Sequence, residues 1–338
     1  MSLTLSSNCS VCGTKANVSK CAACKVTFYC GRGHQVSDRP EHKGACNAVK
    51  RALVGLENQE AKLRATPGDF MTPPGATIFE EHAGHFWGIN QTRPYMQARY
   101  ALVEALLKIK TYAAVEAALN HLLDMLRLCR GDNMGVRDVV PALFLRLGRD
   151  QECYDFVKWW ATTGERGNYD WGDMDEPYLD LKDENPFEAP GLFTQKFAAH
   201  GISVTLLKIR ILFDCRALKS AAVIGEKVPQ EVLDNIYNQM VGTIVAQRQD
   251  IMDGKDLDPL IEDLQTQVSD MYHAVNNSNK YFWSALLRPG ANLTARPGAY
   301  SKGSEAEMQL MLQYSYNSWA ETPGAINYIR ALVTNRNC

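Results

Sequence analysis

The sequence predicts a mainly α protein with a small cysteine-rich module at one end, and three observations predict it. Six of the ten cysteines and two of the seven histidines lie within residues 9–46. From residue 95 onward, apolar residues recur at helical spacing almost throughout. The segments between those stretches carry few β-branched alternations, so little sheet is expected outside residues 9–46.

A chain of 338 residues exceeds one ordinary core and suggests about two or three domains. The expected division is a module at 1–50, a helix and Pro/Gly-rich linker at 51–94, and an all-α domain at 95–338. Hydrophobic residues make up 46% and charged residues 22%, which suits a packed interior and excludes a disordered chain. A net charge of −2 offers no whole-chain basic field for nucleic acid or membrane. The first seven residues have no basic n-region and no signal-like apolar run, and no stretch of about 18 apolar residues occurs. Cys338, the last residue, does not stand where a prenylated cysteine would. The expected location is therefore intracellular, nucleus and/or cytoplasm, where clustered cysteines mean metal or catalysis more often than disulfides.

Cys9, Cys12, Cys21, Cys24, Cys30, His34, His42 and Cys46 follow the spacing C-x2-C-x8-C-x2-C-x5-C-x3-H-x7-H-x3-C. Eight ligand-type side chains suffice for two tetrahedral zinc ions with no open position, so the two Zn2+ are expected to be structural. A window of about 40 residues cannot bury enough apolar surface to fold alone. Its apolar side chains are Val11, Val18, Val26, Phe28, Tyr29 and Val36. Structural zinc contributes on the order of 10–16 kcal/mol in such peptides, which supplies the missing stability. Cys30 and His34, and again His42 and Cys46, are spaced i, i+4, which places each pair on one face of a helical turn. A doubled C-x2-C with two following pairs fits zinc better than a disulfide framework or buried free thiols.

The strings Cys9-Ser10-Val11-Cys12, Cys21-Ala22-Ala23-Cys24, Phe28-Tyr29-Cys30, His34-Gln35, His42-Lys43 and Cys46 resemble a MYND zinc finger. The resemblance implies a two-zinc cross-brace, with Cys9, Cys12, Cys30 and His34 on one ion and Cys21, Cys24, His42 and Cys46 on the other. It also implies short peptide motifs of partner proteins as ligands, with the hairpin Lys25–Tyr29 and Gln35 as the platform. The peptide-contacting residues expected are Lys25, Thr27, Phe28, Gln35 and Arg39. Two positions depart from the family's pattern. His34 stands where the family usually has cysteine, and Arg39 stands where it usually has a tryptophan that packs in the peptide groove.

Six cations against two anions give residues 9–46 a net +4, which two Zn2+ and six thiolates reduce to about +2. That is modest for phosphate binding, and no long recognition helix follows, so nucleic acid is not the expected ligand.

Beyond the cysteines, residues 41–65 read as helix, with Ala45, Val49, Leu53 and Leu56 in register and Pro67-Gly68 ending the pattern. Residues 66–94 are a Pro/Gly/Thr-rich linker or packed loop. Helical stripes follow at Tyr100–Leu107, Val115–Leu126 and Val139–Leu147, and Asp150 is placed to cap the next helix. Ala113–Trp160, with Leu145-Arg146-Leu147-Gly148-Arg149 inside it, resembles a tetratricopeptide-like repeat, which makes the domain helical-repeat-like. Further helices are expected over 191–217, from Pro229 to near Arg248, and from Asp258-Pro259 to about Val275. Ser304-Glu305-Ala306-Glu307 is a capping box opening a helix to about Ala320, and Thr322-Pro323 opens the last. With such a body, the finger resembles that of fungal MYND-type zinc-finger proteins.

The acidic stretch Asp170–Glu188 reads as a solvated loop, and its aromatic residues hint at packing onto the helices. His82 and His85 lack the spacing of a zinc-protease pair and read as hydrogen-bonded loop residues. His121, His200 and His273 read as surface or satisfied side chains, and Cys129, Cys153 and Cys215 as small core residues. MYND fingers occur in SET-domain lysine methyltransferases, but the Asn-His pair near a Gly-x-Gly turn is missing. No P-loop, G-x-G-x-x-G, G-x-S-x-G or kinase string occurs either. The sequence reading is therefore a zinc-binding protein–protein interaction adaptor, in transcriptional or developmental regulation, and not an enzyme. A methyltransferase or another enzyme with a scattered site is the alternative.

Overall fold

The computed structural model describes residues 8–70, 72–194, 198–225, 241–252 and 256–334. Two compact units divide the chain. One comprises Thr4–Leu143 and Asp170–Tyr178, the other Phe144–Tyr169 and Leu179–Cys338.

The first unit begins with strands β1 (Ser19–Lys20) and β2 (Phe28–Tyr29), paired antiparallel with Ser19 opposite Tyr29. Helix α1 then runs 33 residues, Arg32–Arg64. It starts earlier than the pattern at 41–65 suggested and passes through Pro40. An interior proline costs roughly 3 kcal/mol, because it lacks an N–H and crowds the preceding turn. Here His34 lies before Pro40 and His42 and Cys46 after it, so metal ligands hold the helix on both sides of the weak point. The buried face of α1 carries His42, Cys46, Val49, Leu56 and Leu63, a 3–4 spacing turned toward the unit's interior.

Residues 72–92 form a packed loop of short helical turns, with Ile78 and Phe86 fully buried. Gly75 is required there, since a Cβ at this position would lie 1.7 Å from the Leu63 carbonyl oxygen. Helix α2 (Arg93–Leu106) packs against α1 and against α3 (Tyr112–Leu128). The Arg130 guanidinium donates to the carbonyls of Asp173, Met174 and Glu176 at 2.9–3.0 Å. The acidic loop is thus held by its backbone, where the sequence suggested a solvated one.

Helix α4 (Val140–Arg146) spans the division between the units. The second unit is built around α6 (Ala198–Gly225), whose Ile202, Val204, Leu206, Leu207, Ile209 and Ile211 are all buried. The expected stripe is therefore a nearly continuous apolar circumference, as a central helix requires. Helices α5 (Asp150–Ala161) and α7 (Asp258–Ser278) pack on it. Helices α8 (Phe282–Leu287), α9 (Glu305–Glu321) and α10 (Ala325–Thr334) complete the unit.

Asp150 is not the cap expected from the sequence. It is the first helical residue, buried, and 3.2 Å from Arg210, because burial made a charge partner worth more than a cap. Lys208 is also buried, and its ammonium donates to Pro186 O, Glu188 O and Gln267 Oε1 at 2.5–2.6 Å. The capping box at Ser304 forms, though Glu307 reaches back to the Gly303 N–H rather than that of Ser304. Of the helix expected from Pro229 to near Arg248, residues 229–240 lie outside the described residues and 241–248 form bends and turns. His200 is buried against Phe156, which makes it a core residue rather than a surface one. Among the described residues, no helix is long and apolar enough to cross a membrane.

Candidate metal centre

Two C-x2-C turns open the finger, and both use the same backbone device. After Cys9-x2-Cys12, Gly13 has φ +72 and its N–H returns to Cys9 O at 2.9 Å. After Cys21-x2-Cys24, Lys25 has φ +62 and its N–H returns to Cys21 O at 2.8 Å. Each left-handed residue closes a tight knuckle that turns two sulfurs to one side. The pairing of β1 with β2 and the bridge from Cys9 to Phe28 bring the knuckles to the start of α1.

Cys9, Cys12, Cys30 and His34 converge in one cluster, and Cys21, Cys24, His42 and Cys46 in a second, with ligand atoms within 4.8 Å of one another. Cys12 Sγ lies 3.7 Å from Cys30 Sγ, and Cys21 Sγ lies 3.7 Å from Cys46 Sγ. A disulfide needs about 2.05 Å. Four ligands around Zn2+ with bonds of about 2.3 Å to sulfur put neighbouring sulfurs about 3.8 Å apart. The donor set and its spacing therefore fit zinc, and these are two Cys3His zinc-binding clusters with interleaved ligands. All four positions on each ion are filled by protein, so the ions supply cross-links.

The histidines bind through different nitrogens. His34 presents Nδ1, 3.4 Å from Cys9 Sγ and 3.0 Å from Cys30 Sγ. His42 presents Nε2, 3.5 Å from Cys24 Sγ. Cys30 sits just before α1 and His34 on its first turn, so the nearer ring nitrogen already reaches the site.

Burial pushes the thiols of Cys9, Cys21, Cys30 and Cys46 up. At Cys9 the N–H groups of Cys12, Cys30 and Val11 outweigh it and bring the thiol down to about 5. At Cys21 the Cys24 N–H and the His42 ring do the same, to about 6. Cys30 and Cys46 rise to about 11, through burial and then the neighbouring cysteines. The N–H groups thus favour the thiolate at Cys9 and at Cys21, whereas Cys30 and Cys46 need a cation to ionise. Tyr29 Oη donates to Asp38 Oδ2 at 2.5 Å and clasps β2 to α1 between the clusters. Burial and this carboxylate push the phenol well above its ordinary range.

Above the clusters lies a groove of about 870 Å³ between residues 19–23 and the first turns of α1. Its apolar lining comes from Ala22, Ala23, Val36 and Pro40, and its cations are Lys20, Arg32, Arg39 and Lys43, with no acidic residue. Of the residues expected to contact peptide, Gln35 and Arg39 line it, whereas Lys25, Thr27 and Phe28 do not. Thr27 is buried with its hydroxyl 3.6 Å from Cys24 Sγ, and Phe28 lies under the Lys20 ammonium at 5.7 Å. Val36, Pro40 and Lys43 were missed because the helix was expected to begin at 41. Their i, i+4 and i, i+3 spacing was the signal.

His82 and His85 join no cluster of ligands, since the two zinc clusters are the groups of such side chains found among the described residues. Residues 9–46 match the family described as MYND finger. No curated protein and no solved structure matches the chain.

Proposed function

We propose, from the premise that residues 9–46 are a MYND finger, that this protein is an adaptor whose groove over the zinc clusters captures a short segment of a partner protein. The finger is a zinc-binding protein–protein interaction module, and the partner and process are the proposed part. The observation that carries the reading is the junction of groove and metal. Cys21, Cys30 and His42 are zinc ligands and also line the groove, so the ions that fold the finger also shape its binding surface. Closed coordination gives those ions a structural role. Six thiolates suit a reducing compartment, and the reading places the adaptor inside the cell, in transcriptional or developmental regulation.

The test is panning a displayed library of short random peptides on the zinc-loaded chain, with chelated chain as the control. Zinc-dependent enrichment that Arg39→Glu abolishes is expected. A library that enriches nothing in a zinc-dependent way would overturn peptide capture. Saturable S-adenosylmethionine binding by calorimetry would overturn the adaptor reading in favour of an enzyme.

A further inference from the structure

A second depression lies farther along α1 than the groove. Along α1, residues 36, 39, 43, 50 and 54 follow one another at helical spacing, so Val36, Arg39, Lys43, Lys50 and Val54 share one side, with Arg51 at its edge. That side flanks the buried face that carries Cys46, Val49 and Leu56. Val36 is 63% and Val54 47% exposed, and both rank among the exposed large hydrophobics of the chain. Asn47, Lys50, Arg51 and Val54 line a second, shallower depression of about 340 Å³. Among the described residues Arg39, Lys43, Lys50 and Arg51 form no ion pair, and the acidic residues of this part of α1, Asp38 and Glu41, fall on the other side.

We propose that this stripe extends the peptide groove and that its occupant is an extended acidic segment of a partner protein with an apolar end. The proposal rests on the peptide-capture reading and adds the chemistry and length of the ligand. From Val36 to Val54 the helix rises about 27 Å, which roughly eight extended residues span. Each Zn2+ with three thiolates and a neutral imidazole carries a charge of about −1, so the apolar end belongs over the clusters. The carboxylates belong on Lys50 and Arg51, beyond the metal ligands. The exposed valines, together with the burial of Tyr29 in the groove lining, favour peptide over single-stranded nucleic acid.

The probes are three fluorescent ligands titrated into the zinc-loaded full chain. One is a twelve-residue peptide with a Pro/Leu end and a Glu/Asp remainder, the second its Gln/Asn counterpart, and the third a twelve-nucleotide single-stranded DNA. The acidic peptide is expected to bind at least tenfold tighter than the neutral one, with the difference shrinking as salt rises. The double variant Lys50→Glu/Arg51→Glu should remove that difference. Equal affinity for both peptides, or no response to the double variant, overturns the stripe while peptide capture stands. Binding of neither peptide overturns both readings, and DNA binding tighter than the acidic peptide overturns the choice of ligand.

Discussion

The Thr111 hydroxyl donates to the Val26 carbonyl at 2.6 Å, a bond between residues 85 apart in sequence that ties the finger's second knuckle to the start of α3. The same oxygen accepts from the Ala114 N–H at 3.2 Å and so caps that helix. Replacing Thr111 by alanine removes both, with an expected loss of about 1–2 kcal/mol in urea unfolding. Zinc release to a chelator should quicken in the same variant. Thr111→Ser should preserve both properties.

Lys25 performs in the second knuckle what glycine performs in the first. A non-glycine residue in the left-handed region costs roughly 1–2 kcal/mol. Lys25→Gly is therefore expected to hold zinc at least as tightly as the parent in a chelator competition. A marked loss would mean that the side chain, not the backbone, gives Lys25 its role.

Metal analysis of the parent chain should give two zinc ions. Cys24→Ser and Cys30→Ser each remove a ligand from a different closed cluster and should lower that number. The finger is expected to unfold in both, while the helical body keeps a cooperative transition by circular dichroism. Full zinc retention in either variant would refute the ligand assignment.

Asp214 accepts the N–H groups of Val241 and Gly242 at 2.6 and 2.8 Å, with Arg210 and Asp150 beside it. Burial pushes its carboxyl up to about 6, against the opposing pull of those N–H groups and Arg210. Its folded value lies above the unfolded one, so its contribution is full below about pH 4 and is lost as pH rises through 6. The expected change is up to about 3 kcal/mol. Asp214→Asn keeps an acceptor for one N–H without the charge. The parent-minus-variant difference in unfolding free energy should therefore fall between pH 4 and pH 7. A flat difference would show that the carboxyl titrates normally.

Gly75→Ala places a methyl group against the Leu63 carbonyl, which is backbone and has little room to yield. The variant is expected to unfold more easily by about 3 kcal/mol. An unchanged midpoint in thermal unfolding would mean that residues 66–75 are free to shift away from α1.

Much of this was legible in the residues. The eight ligands could be read from spacing, because a zinc knuckle is a local device with its donors two or three residues apart. The helices after residue 95 could be read from period, and Ser304 from its capping string. Helix α1 begins earlier than its apolar register, which starts at Ala45, because metal ligands rather than apolar contacts hold its first turns around Pro40. The acidic loop was read as solvated because a run of carboxylates is polar, whereas Arg130, Lys158 and Lys208 hold it through backbone and side-chain oxygens. Asp150 was read as a cap because no local signal announces Arg210, sixty residues away.

The sequence by itself determined which residues can bind metal and where most of the helices lie, since both follow from spacings of a few residues. Tertiary structure decided where the groove lies, which charges are buried, and that Val36, Lys50 and Val54 share an exposed side. Those properties depend on which surfaces the fold covers, and burial is set by neighbours distant in the chain.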